Sequence, residues 1–210
     1  MSIEAAVKQQ FAKVFQSSDW HLFKKMADFY LRRAAFLRKA DIPLPPDLRL
    51  RARNSQKRLF IGVGCELLVK ALYLKNGYAI NKPRRNQALQ FPLKLSAANP
   101  SQLDEDQTFL FDNLICRLEK VTSLESGEAV LNGLKIAKVF RNKEAHLVTS
   151  KHDFDSSNYR DIETSLKELY RIGFDESLVV RFSLAPNEQP LWAISRLPSK
   201  STSSALTSCF

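Results

Sequence analysis

Cysteine is scarce in this chain. Three of its 210 residues are cysteines, Cys65, Cys116 and Cys209, and no two of them form a CxxC pair. An odd number of widely spaced cysteines argues against a disulfide framework and against a cysteine-based zinc site. Cys65 and Cys116 lie in apolar, helix-like runs, where we expect buried thiols.

Long apolar runs are also missing. No run reaches the 18 or so consecutive apolar residues that a membrane-spanning helix needs. Residues 1–16 carry charges throughout and lack the apolar stretch of a secretory signal. We therefore expect no membrane segment and, by exclusion, a cytoplasmic protein.

Metal and nucleotide motifs are absent too. The three histidines are scattered and have no acidic neighbours at ligand spacing. The chain contains no Walker loop, GxGxxG, GxSxG or HExxH sequence. The sequence therefore predicts neither a metal site nor a bound cofactor.

Positive charge, by contrast, is plentiful and unevenly distributed. The chain has 32 basic and 22 acidic residues, a formal net charge of +10. Residues 1–85 hold 18 basic and 6 acidic side chains, a net charge of +12, whereas residues 86–175 hold 11 and 14, a net charge of −3. A basic half of this size suits a polyanionic partner such as RNA or DNA, although a lysine-rich surface alone gives the same count.

Helical periodicity dominates the pattern of apolar residues, which recur at steps of three and four. The segments with this pattern are 3–16, 19–40, 50–76, 105–124, 127–146 and 157–171. Asp19 is placed to cap the second of them. Residues 78–104 show no clear periodicity and are predicted to form a long loop.

The end of the chain has a different character. Residues 178–184 and 191–197 are short β-like runs on either side of Pro186, Asn187 and Glu188, which predicts a hairpin. The serine-rich end is predicted to be disordered. We therefore predict a mainly α fold: a bundle of five or six helices over residues 1–174, a β appendage over 175–197 and a disordered tail over 198–210.

Arg141, Asn142 and His146 stand in the run RNKEAH, which closes the helix predicted over 127–146. This run resembles the motif of HEPN ribonucleases, an arginine followed by a polar residue and, four to six positions later, a histidine. The segment from Gly64 to Gly77 is similar to the glutamate-containing apolar helix commonly seen upstream in that family. By order of elements the resemblance covers roughly residues 20–172, and it implies a HEPN-like helical bundle.

The resemblance also implies a chemistry and an assembly. On a continuous helix Arg141 and His146 would lie about 140° apart, so one helix face cannot present both. In the family, the motifs of two protomers meet across a two-fold axis, which implies a homodimer with one composite cleft. His146 would act as general acid and base on RNA without a metal, Arg141 would hold the scissile phosphate, and Asn142 would orient His146 or contact the phosphate.

Several other residues are weaker candidates with ordinary alternatives. Glu66 could support the site, or could simply pair with Lys70 at i+4. Arg84, Arg85 and Lys143 could bind RNA, or could be solvated surface charges. His146 could instead cap a helix C-terminus, and Arg141 could pair on the surface with Glu144 or Glu128.

Two functions compete on this sequence. The first is a HEPN-type endoribonuclease, for which the family resemblance implies a role as toxin of a toxin–antitoxin or antiphage system with a cognate antitoxin or regulator. The second is a non-catalytic module of the same fold that binds RNA or nucleotide, or acts as a scaffold. A third and weaker alternative is DNA binding through the basic segments 20–40 and 49–58, for which no helix-turn-helix spacing is present.

Overall fold

The computed structural model describes residues 6, 19–84, 90–97, 100–122, 127–144, 154–178, 180–183 and 194–196. This part of the chain is mainly helical, as the sequence predicts. Its α-helices are α1 (Trp20–Phe36), α2 (Pro46–Lys75), α3 (Phe111–Cys116), α4 (Gly127–Glu144) and α5 (Ser156–Phe174). Its strands are β1 (Asn81–Pro83), β2 (Leu103–Thr108), β3 (Glu176–Leu178) and β4 (Ile194–Arg196).

Helix α1 begins where the sequence predicts and buries apolar side chains at helical spacing. The Asp19 carboxylate accepts a hydrogen bond from the backbone N–H of His21 at 2.9 Å, which satisfies one of the free donors at a helix start. Phe23, Ala27 and Leu31, at helical spacing, are buried. The helix ends at Phe36, four residues before the predicted end.

Helix α2 is the long central helix of the fold. It begins at Pro46 rather than at residue 50, because proline is well tolerated in the first turn, where its missing N–H is not needed. It ends at Lys75, and Gly77 then adopts a φ of +76°, a conformation that favours glycine. Gly77 therefore stops the helix, as predicted.

Four helices enclose one core. Helix α2 packs against α1 and α4, and α4 packs against α5. The Tyr170 hydroxyl on α5 donates to the Asp28 carboxylate on α1, which brings the last helix back to the first. Leu68, Leu134 and Leu166 are among the fully buried side chains between them.

The stretch between α2 and α3 differs from the prediction. Part of the predicted loop over 78–104 forms β1, which pairs antiparallel with β2, with Asn81 opposite Thr108. The helix predicted over 105–124 is wrong in its first turn, since residues up to Thr108 belong to β2, and only Phe111–Cys116 and a 3₁₀ turn at Leu118–Lys120 are helical. Acidic residues at 104–106 imitate a helix start, but here they lie in a strand.

Two short strands pair in the region where a C-terminal hairpin is predicted. β3 pairs antiparallel with β4, with Glu176 opposite Arg196 and Leu178 opposite Ile194. The first strand starts two residues earlier than predicted and ends at Leu178, since residues 180–183 are not in a strand. The predicted helix over 3–16, apart from residue 6, and the predicted turn at 186–188 and tail at 198–210 lie outside the described residues.

Among the helices of the described residues, none is both long and apolar enough to cross a bilayer.

Candidate functional site

Arg141 lies in the last turn of α4 and is anchored to α2. Its Nε is 2.9 Å from Oε2 of Glu66, whose carboxylate is largely buried. The Arg141 side chain itself keeps 43% of its surface exposed. The ion pair therefore fixes the guanidinium in place while leaving it accessible to an anion from solvent.

Glu66 is shared between two cations. Its Oε1 is 2.9 Å from Nζ of Lys70, one helical turn along α2. Lys70 in turn donates a hydrogen bond of 3.2 Å to the hydroxyl of Thr108, the last residue of β2. Arg141, Lys70 and Glu66 together carry a net charge of +1, so the cluster is suited to a negatively charged ligand.

A glycine allows α2 and α4 to approach closely at this point. A Cβ placed on Gly62 would be 2.5 Å from Cβ of Arg141 and 2.7 Å from the carbonyl oxygen of Ala137. Any larger residue at position 62 would push the two helices apart. Since Glu66 lies one turn beyond Gly62, this close approach is what brings its carboxylate within reach of Arg141.

Asn142 and Lys143 are both exposed at the end of α4. The Asn142 side-chain oxygen accepts a hydrogen bond from Nη1 of Arg141 at 3.1 Å. Asn142 therefore lies beside the guanidinium, on the solvent side of the Glu66 ion pair. The sequence allowed it a role at a phosphate, and this position is consistent with that role.

A second, buried ion pair fixes the end of α4. Glu144 Oε1 is 2.5 Å from Nε of Arg58, and Glu144 Oε2 accepts from the Ser55 hydroxyl at 2.6 Å. The Arg58 side chain is completely buried and that of Glu144 is 5% exposed. The alternative in which Arg141 pairs with Glu144 is therefore wrong: Glu144 is held by Arg58, and Arg141 by Glu66.

Not every predicted site residue can be located. His146 and Arg85 lie outside the described residues, so their predicted roles stay predictions. Arg84 is exposed, and its Nε donates to the backbone oxygen of Leu103 at 3.1 Å. The structure brings together Arg141, Asn142 and Glu66, whereas Arg84 donates hydrogen bonds to the backbone oxygens of Gln102 and Leu103.

The sequence analysis gave no site role to several residues that the structure places here: Lys70, Thr108 and the Arg58–Glu144 pair. A signal for them exists on α2, where polar or small residues interrupt an otherwise apolar helix at steps of three and four. The row comprises Ser55, Arg58, Gly62, Glu66 and Lys70. Such a row predicts a polar seam against a neighbouring helix. Thr108 carried no usable signal, because its segment was predicted to be helical.

Part of the positive charge in the basic segments proposed for DNA binding is buried and cannot contact DNA. Lys57 and Arg58 are buried, and Lys57 lies over the ring of Tyr159 at 4.0 Å. Lys24 is also buried, between Asp28 and Glu176. These three cations are therefore used inside the protein rather than on its surface.

The two described cysteines differ from each other. Cys65 is buried, as predicted, and burial raises the pKa of its thiol well above the usual range. Cys116, predicted to be buried, is exposed at the end of α3, because that helix is only six residues long and turns its last residue outward.

In the part of the chain that the structure describes, no group of three or more histidine, cysteine or acidic side chains is arranged to hold a metal ion. Comparison with protein-family models, with curated proteins and with solved structures gave no significant match.

Proposed function

We propose that this chain is a metal-independent endoribonuclease of the HEPN type, in which Arg141 holds the scissile phosphate and His146 transfers protons. The observation that carries the proposal is the Arg141 guanidinium, fixed by a buried carboxylate yet 43% exposed at the end of α4. A preorganised cation of this kind stabilises charge that develops on phosphoryl oxygens during cleavage. His146 follows Arg141 by five residues.

The reaction needs one proton acceptor and one proton donor. A neutral histidine removes the proton from an RNA 2′-hydroxyl, and O2′ attacks the adjacent phosphorus. The new P–O2′ bond forms as the P–O5′ bond breaks, and a protonated histidine gives its proton to O5′. The products are a 2′,3′-cyclic phosphate and a 5′-hydroxyl, and histidine suits both steps because its ordinary pKa of about 6.5 leaves both forms accessible.

Two histidines near one phosphate imply a second copy of the chain. Since each protomer offers one His146, a homodimer with the two α4 ends facing each other supplies both the acid and the base. Two Arg141 and two His146 side chains so arranged would repel one another without a bound polyanion. RNA is therefore the proposed substrate, and an assembled dimer the proposed active form.

The first test is the choice between RNA and DNA. The purified protein is incubated in EDTA with an RNA oligonucleotide and with DNA of the same sequence. We expect only the RNA to be shortened, because DNA lacks the nucleophile, and we expect added Mg²⁺ to be unnecessary.

The matched control substrate is the same RNA with a single 2′-deoxyribose on the 5′ side of the mapped cut. It should resist cleavage at that position alone. Cutting of DNA, or cutting that requires Mg²⁺, would contradict the proposal. RNA that is bound but left intact would favour the non-catalytic RNA-binding module.

A further inference from the structure

The two oxygens of the Glu66 carboxylate each face a different cation. Oε1 lies 2.9 Å from Nζ of Lys70, and Oε2 lies 2.9 Å from Nε of Arg141. The side chains of Glu66 and Lys70 are 11% and 8% exposed, whereas that of Arg141 is 43% exposed. The carboxylate and the lysine therefore belong to the interior, and solvent reaches the guanidinium.

The way in which Glu66 holds Arg141 decides which guanidinium nitrogens remain for a ligand. Arginine often binds a carboxylate through two parallel N–H···O bonds, one to each oxygen. That arrangement would need Oε1 as well as Oε2, but Lys70 occupies Oε1. Nη1 of Arg141 instead donates to the side-chain oxygen of the exposed Asn142 at 3.1 Å. The terminal part of the guanidinium therefore lies beside an exposed residue.

Lys70 is well placed to keep Oε1 occupied. It follows Glu66 by four residues on α2, a spacing at which side chains meet on one helix face. Its Nζ also donates to the Thr108 hydroxyl at 3.2 Å. Since Lys70 is buried, an ammonium that left these two oxygens would lose hydrogen bonds that are costly to leave unmade.

We infer that Lys70 is a positioning residue: by occupying Oε1 of Glu66, it keeps Arg141 attached through Nε and leaves Nη1 and Nη2 to bind the phosphate of RNA. The inference rests on the proposed function for its substrate. It gives Lys70 a part in phosphate binding that acts through Arg141. A guanidinium has five N–H donors in a planar fork, so its terminal nitrogens can bond two oxygens of one phosphate.

Two substitutions of Lys70 separate the bond to Oε1 from the charge. Lys70→Met removes both the charge and the donor, and an apolar chain suits a buried position. Lys70→Gln removes the same charge, but its amide can still donate to Glu66 one helical turn away. In both variants Glu66 keeps Arg141 as its partner, so its buried carboxylate still faces a cation.

The matched control removes a lysine charge elsewhere near Arg141. Lys138 lies one turn before Arg141 on α4 and is 2.6 Å from the Asp112 carboxylate. Lys138→Met therefore takes away a nearby positive charge without touching Glu66. If charge alone mattered, Lys138→Met and both Lys70 variants would weaken phosphate binding together.

Binding of inorganic phosphate is measured on the full chain by NMR, with ¹⁵N-labelled arginine. The Nε–H signal of Arg141 is identified by its absence from the Arg141→Ala spectrum, and its shift is followed as phosphate is added. We expect Lys70→Met to raise the Kd for phosphate about 10- to 150-fold, the usual effect of losing one hydrogen bond to a charged group. Lys70→Gln should recover most of that loss, and Lys138→Met should bind phosphate like the wild type.

Cleavage of RNA by the same variants gives a second readout. In EDTA, Lys70→Met should lower kcat about 10- to 100-fold, less than the loss of a transition-state donor outright. Lys70→Gln should again recover most of the rate. Because the two variants lack the same charge, a difference in kcat between them reports on the bond to Oε1.

The outcomes separate this inference from the proposed function. Wild-type phosphate affinity in Lys70→Met, equal weakening in Lys70→Gln or Lys138→Met, or no phosphate-induced shift of Arg141 in the wild type would each overturn the role of Lys70. Lys70→Gln decides the question even if Lys70→Met does not fold, since charge alone predicts weak binding by it. The expected pattern of phosphate affinities, found in a wild type that leaves RNA intact, would support that role and refute only the ribonuclease.

Discussion

Replacing His146 with alanine is expected to lower the rate of RNA cleavage about 10²- to 10⁴-fold, the usual effect of losing a general acid or base. Arg141→Ala is expected to lower it about 10²- to 10³-fold, as for a preorganised group that stabilises transition-state charge. Both losses should appear in the rate constant at saturating RNA, measured in EDTA with a fluorescent oligonucleotide.

The Arg141 effect should depend on geometry as well as charge. Arg141→Lys keeps the positive charge and can still pair with Glu66, but it loses the planar guanidinium that bonds Glu66 and Asn142 from separate nitrogens. We therefore expect Arg141→Lys to restore only a small part of the lost rate.

Matched controls use the same residue types elsewhere on the surface. His21 is exposed at the start of α1, and Arg160 is exposed on α5. His21→Ala and Arg160→Ala should cleave RNA at the wild-type rate. If they lose as much activity as His146→Ala and Arg141→Ala, or if all four variants stay active, the proposed site is wrong.

Glu144→Ala is expected to destabilise the protein by about 3–5 kcal/mol, the cost of leaving one member of a buried ion pair without its partner. Arg58 is completely buried, and Glu144 holds its Nε and the Ser55 hydroxyl together. Removing the carboxylate leaves the Arg58 charge in a low-dielectric site. Urea unfolding followed by circular dichroism should show a lower midpoint with a similar slope.

Two comparisons make the Glu144 result specific. Glu168→Ala removes the carboxylate of an exposed pair with Arg171 on α5 and should cost no more than about 1 kcal/mol. The double variant Arg58→Met with Glu144→Met should be more stable than Glu144→Ala, because no charge is then left buried. A Glu144→Ala protein as stable as the wild type would show that the pair does not hold the end of α4.

The sequence predicts helices well where one periodic face decides burial. In α5, Ile162, Leu166 and Leu169 recur at helical spacing and are all buried. Prediction fails between α2 and α3, because the pairing of Asn81 with Thr108 joins residues far apart in the chain. Local acidic residues at 104–106 then favoured a helix that non-local strand pairing overrides.

Part of the candidate site could likewise be predicted from residue spacing, and part of it could not. Arg141 and Asn142 stand out from the spacing of one short run, and Lys70 is a local partner of Glu66 that helical geometry predicts. The Glu66–Arg141 contact, by contrast, depends on the close approach of two helices at Gly62. The stacking of Phe91 on Tyr73 likewise joins helix α2 to a segment without periodicity. Tertiary packing creates both features, so residue spacing alone could not predict them.

The chemistry of the product ends tests the central claim most directly. RNA cut by the wild-type protein in EDTA is analysed by mass spectrometry, beside RNA treated with His146→Ala. Attack by the 2′-hydroxyl predicts fragments that end in a 2′,3′-cyclic phosphate and begin with a 5′-hydroxyl, and that are almost absent in the variant. Fragments with 3′-hydroxyl and 5′-phosphate ends, or equal cleavage by His146→Ala, would contradict the proposed mechanism.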